Sequence, residues 1–129
     1  MSLAHTGMIR TMRAYDMPRG FCPRAAAALL VFDVNYVPSF AACERLRDQV
    51  LHNTDAPVLA CCGLCGSHEF GGTRMVSEEE ARMWCTGHGI EYFEVDLGVD
   101  DERVDTVFDT LIRGVLEKKG LLTKLNDNV

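Results

Sequence analysis

At 129 residues, 47% of them hydrophobic and 25% charged, the chain is sized for one globular domain with a modest core. Its net charge of −6, with 13 scattered Lys and Arg residues, argues against a surface that tracks nucleic-acid phosphates, so no nucleic-acid partner is expected. No apolar run approaches the roughly 20 residues of a membrane helix and no signal peptide opens the sequence, so a soluble, cytoplasmic protein is expected.

Residues 1–24 show no helical or strand period and read as an irregular N-terminal segment with room for a short strand or helical turn. Met8, Met12 and Met17, near Phe21, form an adaptable apolar region that either completes the core or faces a partner. The apolar run from Ala25 to Val34 reads as a buried strand with a carboxylate, Asp33, at its end. After Pro38, Ser39 is expected to cap a helix that buries Phe40, Cys43, Leu46 and Val50 and stops near Asn53. Pro57 opens a second buried strand, Val58 to Cys62, and the glycine-rich stretch from Gly63 to Thr73 reads as a loop.

Ser77-Glu78-Glu79-Glu80 has the spacing of a capping box, flanked by Val76 and Ala81 at hydrophobic-staple positions. The helix it opens should bury Ala81, Trp84 and Cys85 and end between Gly87 and Gly89. A short third strand runs from Glu91 to Val95. Asp100 or Asp101 then caps a last helix with Val104, Val107, Phe108, Leu111, Ile112, Val115 and Leu116 on one face. Lys118 and Lys119 suit its C-terminus, Gly120 closes it, and residues 120–129 form a tail.

Residues 25–119 therefore read β-α-β-α-β-α, which predicts a three-layer α/β domain with at least three parallel strands in sequence order and helices on both faces. The strand from Leu29 to Val34 has an open edge unless residues 1–24 or a second copy cover it, so homodimerisation through that edge is expected.

Without a secretory signal, the six cysteines are expected to be reduced, and most of them to serve as small core residues. Two sharper alternatives stand beside that one. Cys62-Gly63-Leu64-Cys65 has the spacing of a thiol-exchange pair, although the following helix starts too late to stabilise a thiolate. Cys62, Cys65 and His68, joined by Cys85 or His88, have the spacing of a structural zinc site. No catalytic residues and no resident metal are expected. Gly66 to Thr73 has the spacing of a phosphate loop, but Gly72 stands where the lysine belongs and no helix begins directly after it.

Leu29-Leu30-Val31-Phe32-Asp33-Val34 followed by Ser39-Phe40 resembles the middle of a small GTPase of the Ras and Rab kind. The resemblance continues, in family order and spacing, through the strand at Val58, the helix start Val76-Ser77-Glu78-Glu79-Glu80-Ala81, the strand entry His88-Gly89-Ile90-Glu91-Tyr92-Phe93-Glu94 and the helix at Val107 to Leu111. It covers residues 25–119 and implies a partial small-GTPase fold of the P-loop NTPase kind.

By that resemblance the second strand should lead into Asn-Lys-x-Asp, which reads guanine, and the third into a Ser-Ala-Lys loop that backs the base. The matching positions hold Gly63-Leu64-Cys65-Gly66 and Asp96-Leu97-Gly98. Glycine supplies no carboxylate and leucine no ammonium. The family's magnesium-associated Asp-x-x-Gly falls on Ala4-His5-Thr6-Gly7, with alanine for the acid. The expected function is a non-catalytic, pseudo-GTPase-like protein-interaction domain, with intracellular trafficking implied by the resemblance. The alternatives are a fragment or variant of a GTP-binding small GTPase and a small zinc or thiol protein. No cofactor is expected from the residues themselves, while the resemblance implies GTP or GDP and magnesium. The last residues, Asn126-Asp127-Asn128-Val129, hold no cysteine for a prenyl anchor, so no direct membrane anchor is expected.

Overall fold

A strand as apolar as the one ending at Asp33 is stable only when both of its faces are covered, and the elements that follow supply the cover. The computed structural model describes residues 3–5, 8–10, 26–54, 57–66, 72–99 and 101–120. Its elements are β1 (Leu3–His5), β2 (Met8–Arg10), β3 (Ala27–Asp33), α1 (Val37–Asn53), β4 (Val58–Cys65), α2 (Glu78–Gly87), β5 (Glu91–Asp96) and α3 (Asp101–Lys118). β3, β4 and β5 form a parallel sheet in that order, with Leu30 beside Cys61 and Cys61 beside Tyr92. β1 and β2 pair antiparallel in a sheet of their own, so the segment read as irregular holds a small hairpin. The methionines at 12 and 17, Phe21 and the tail beyond Gly120 lie outside the described residues.

Side chains alternate across the sheet, and so does the core. On one face Leu30, Phe32, Cys61 and Tyr92 pack with Cys43 and Leu46 of α1 and with Ala81 and Cys85 of α2. On the other, Leu29, Ala60, Cys62 and Val95 pack with Val107 and Leu111 of α3. The sheet is thus covered on both sides. Among the described residues β3 has a partner on one side only, so it is an edge strand.

Three boundaries and one helix face differ from the sequence expectations, each for a physical reason. β4 runs on to Cys65 because Gly63, Leu64 and Cys65 are paired with β5, and Gly63 and Leu64 also with β3; that tertiary pairing outweighs the local loop signal of glycine. β5 likewise reaches Asp96. α1 begins at Val37 with Tyr36 at its N-cap, because Pro38 fits the first turn, where its missing N–H costs nothing. Ser39 is therefore inside the helix; its hydroxyl accepts from the Asp33 amide (2.9 Å) and donates to the Tyr36 carbonyl (2.7 Å), tying α1 to the end of β3. Ile112, placed on the inward face of α3 by its spacing, is exposed. α3 instead approaches the sheet at Gly114, where a Cβ would lie 2.8 Å from Val58 Cγ1.

The Ser77 cap forms as read: its hydroxyl accepts from the Glu80 amide at 3.1 Å, and the staple residues Val76 and Ala81 are both buried. Ser77→Ala is expected to cost about 1 kcal/mol, measured as a lower urea midpoint at unchanged m-value.

Candidate functional site

In open parallel α/β sheets, ligands and partners are met at the carboxyl ends of the strands, where the loops leave. Here that edge is built from Asp33 to Tyr36 after β3, Gly63 to Gly66 at the end of β4, and Asp96 to Val99 after β5. The seven positions singled out in the sequence meet there. Cys65 is beside Asp96, and the Leu97 amide donates to the Cys65 carbonyl at 3.0 Å. Asp96 accepts from the Gly98 amide through Oδ1 at 2.9 Å, closing a tight turn. Asp33 does the same for the Asn35 amide at 2.8 Å.

Above this edge is an ion pair that the sequence did not signal. The Met75 and Val76 amides both donate to the Val34 carbonyl (2.8 and 2.9 Å), so the segment before α2 is stitched to the end of β3. From there Arg74 reaches Glu94 on β5, crossing the central strand. It donates to both carboxylate oxygens, through Nη1 to Oε2 at 3.2 Å and through Nη2 to Oε1, while its Nε donates to the Val76 carbonyl at 2.7 Å. Tyr92 adds a hydroxyl bond to Glu94 Oε1 at 2.9 Å. Burial pushes the Glu94 carboxyl up, but the hydrogen bonds from Arg74 and Tyr92, with the Arg74 charge, outweigh it and hold the group below its ordinary value. Burial and the bond to Glu94 push the Tyr92 hydroxyl up. Tyr92 and Glu94, two apart on one strand, share a face, which is the one local hint of the pair; Arg74, 20 residues away, offered none.

The thiols do not make the sites that their spacing allowed. Because β4 continues through Cys65, Cys62 and Cys65, three apart on a strand, face opposite sides: Cys62 packs under α3 and Cys65 beside the α1 and α2 core. A thiol-exchange pair is not formed. Cys85 lies in the core opposite Cys62, and the exposed His88 ring donates from Nδ1 to the Trp84 carbonyl at 2.8 Å. His68 lies outside the described residues, and among those described no group of three or more His, Cys, Asp or Glu is arranged to hold a metal. Hydrogen bonds with Cys43 and Cys85, then burial, drive the Cys61 thiol far up, and burial pushes Cys62 up to about 11. Native labelling with a maleimide near pH 7 should therefore leave Cys43, Cys61, Cys62 and Cys85 unmodified while half-buried Cys65 reacts first among the described cysteines. Peptide mass mapping reads this out, and fast modification of Cys61 would contradict the packing.

A parallel α/β layer with helices on both faces and loops gathered at the carboxyl edge is the architecture of a nucleotide-binding-type domain. The Ras family model matches residues 13–117, and the chain belongs to the Ras family. It is 29% identical over 113 residues to the GTP-binding protein YPTC5 of Chlamydomonas reinhardtii, covering 83% of this chain and 54% of that protein. It is 31% identical over 98 residues to the Ras-related protein Rab7 of Glycine max, covering 71% and 47%. With the human Ras-related protein Rab-25 it shares 28% over 95 residues, covering 73% and 43%. The chain spans about half the length of the curated relatives it matches. Among the described residues no helix is long and apolar enough to cross a membrane.

Proposed function

We infer that this chain is a partner-binding Ras-family domain that does not turn over nucleotide, acting in the cytoplasm and, by analogy with its Rab relatives, in membrane traffic. One observation carries this. At the four positions that match the family's guanine-reading motif, Gly63, Leu64, Cys65 and Gly66, there is neither a carboxylate to accept from a base nor an ammonium to lie over it. The nearby carboxylates are engaged, Glu94 by Arg74 and Tyr92 and Asp96 by the Gly98 amide. These residues do not fit a guanine base.

Support for a protein partner comes from the same edge, where Tyr36, Val37 and Met75 near the end of β3, and Leu97 and Val99 after β5, are large apolar side chains left exposed. The outer side of β3 offers a second contact, pairing with another copy of the chain. Sedimentation at rising concentration is expected to show dimer, and a monomer throughout would remove that part of the proposal. A second function, as a portion of a longer GTP-binding protein, is favoured by the half-length coverage of the relatives. Titration with fluorescent GTP and GDP in magnesium separates the two: no saturation below about 100 µM is expected, and a Kd near 1 µM, about −8 kcal/mol, would favour the second.

A further inference from the structure

We propose that the sheet corner at which the family reads its base is filled from the neighbouring strands, so that base reading is lost through packing and not only through the identity of the motif residues. This rests on the base-reading assignment of positions 63–66 made above. A Cβ on Gly63 would overlap the Tyr92 hydroxyl and lie 3.0 Å from Phe32 Cζ and 3.2 Å from Val34 Cγ1. All three neighbours are buried. Phe32 is wedged between the Phe40 and Tyr92 rings, and the Tyr92 hydroxyl is held by Glu94, which Arg74 holds in turn. The glycine is therefore the complement of a tyrosine: its missing side chain is the space the hydroxyl occupies.

The second glycine is filled independently and by different chemistry. At Gly66 the backbone has φ +82°, a conformation that disfavours side chains, and a Cβ would lie 3.0 Å from Asp96 Oδ1. That carboxylate cannot swing away freely, because Oδ1 accepts from the Gly98 amide and the turn is pinned by the Leu97 amide on the Cys65 carbonyl. An aspartate restored at 66 would meet both a strained backbone and a like charge. Gly63 on β4 and Gly66 directly after it thus face two β5 side chains, Tyr92 and Asp96, whose polar ends stand where side chains at those positions would begin.

A double-mutant cycle on the 129-residue chain tests this, read as thermal midpoints. Gly63→Ala is expected to lower the midpoint by about 5 °C or more in the wild type and by markedly less in a Tyr92→Phe background, which lacks the hydroxyl. Equal losses in the two backgrounds would overturn the filling at Gly63. If Gly63→Ala does not fold, Gly66→Ala with and without Asp96→Ser gives the same comparison at an exposed position, with a smaller loss expected in the Asp96→Ser background. Fluorescent GDP with magnesium supplies the other arm. Gly63→Asn/Leu64→Lys/Gly66→Asp with Tyr92 and Asp96 intact is expected not to bind, and micromolar binding by that variant would overturn the proposal. Binding by the wild type would instead strike at the proposed function and leave the midpoint cycle unaffected, so the two failures are distinguishable.

Discussion

Phe32→Ala is expected to remove about 3–5 kcal/mol of stability, the usual cost of deleting a buried aromatic ring. Phe32 is 1% exposed, next to the last residue of β3, with its ring 4.8 Å from that of Phe40 and 6.2 Å from that of Tyr92. The loss touches three elements, because Phe40 of α1 and Tyr92 of β5 both place a ring against this one. A domain of this size holds on the order of 5–15 kcal/mol in total, so the loss is a large share of its stability. Urea unfolding followed by circular dichroism measures it. A loss under about 1 kcal/mol would mean that the cavity collapses and that the layer of rings is not rigid. Phe32→Leu, which keeps much of the volume, should lose markedly less.

The second large effect is expected at the clamp over the carboxyl edge. Arg74→Met removes a forked donor from Glu94, whose side chain is 15% exposed, and leaves that carboxylate with the Tyr92 hydroxyl and a weak Cys65 thiol contact at 3.9 Å. A cost of about 2 kcal/mol is expected, toward the upper range for a hydrogen bond to a charged group because the acceptor is largely shielded, although the 37% exposure of Arg74 keeps it from rising further. The pH dependence carries a sign that can be checked. Glu94 titrates lower in the folded chain than the roughly 4.3 of a free glutamate, so between those values the unfolded chain binds more protons. The clamp's contribution is complete above about pH 4.3 and is lost as pH falls through the folded value. Stability of the wild type should therefore fall more steeply below pH 4.3 than that of Arg74→Met, and parallel curves would show that Glu94 is not held as described.

Much of this arrangement could be read before any coordinates. The order β-α-β-α-β-α followed from a change of apolar period at each punctuating Pro, Gly or Ser, and the Ser77 cap from its spacing to Glu80. These are local signals, complete within one turn or one strand. What escaped was set by contacts distant in the chain. The strand character of Gly63 to Cys65 comes from pairing with β5 and from a tyrosine 29 residues on whose hydroxyl needs the space of the missing side chain. The Arg74 to Glu94 clamp likewise depends on β5 lying two strands from β3. Cys62 and Cys65 do not stand together as the thiol-exchange and zinc alternatives required, for the related reason that a strand sends residues 62 and 65 to opposite faces, which spacing alone does not disclose. The candidate base-reading positions were named from the resemblance to the family, and the structure brings them side by side at one edge.

The central claim is that this Ras-family chain does not hold a guanine nucleotide, and the most direct test is the thermal midpoint of the purified protein with and without about 1 mM GDP and magnesium. A ligand bound with a Kd of about 1 µM would add about 4 kcal/mol at that concentration and raise the midpoint by more than about 10 °C. The midpoint is expected not to move by more than about 1 °C. A rise of several degrees that GDP produces and ADP does not would contradict the claim.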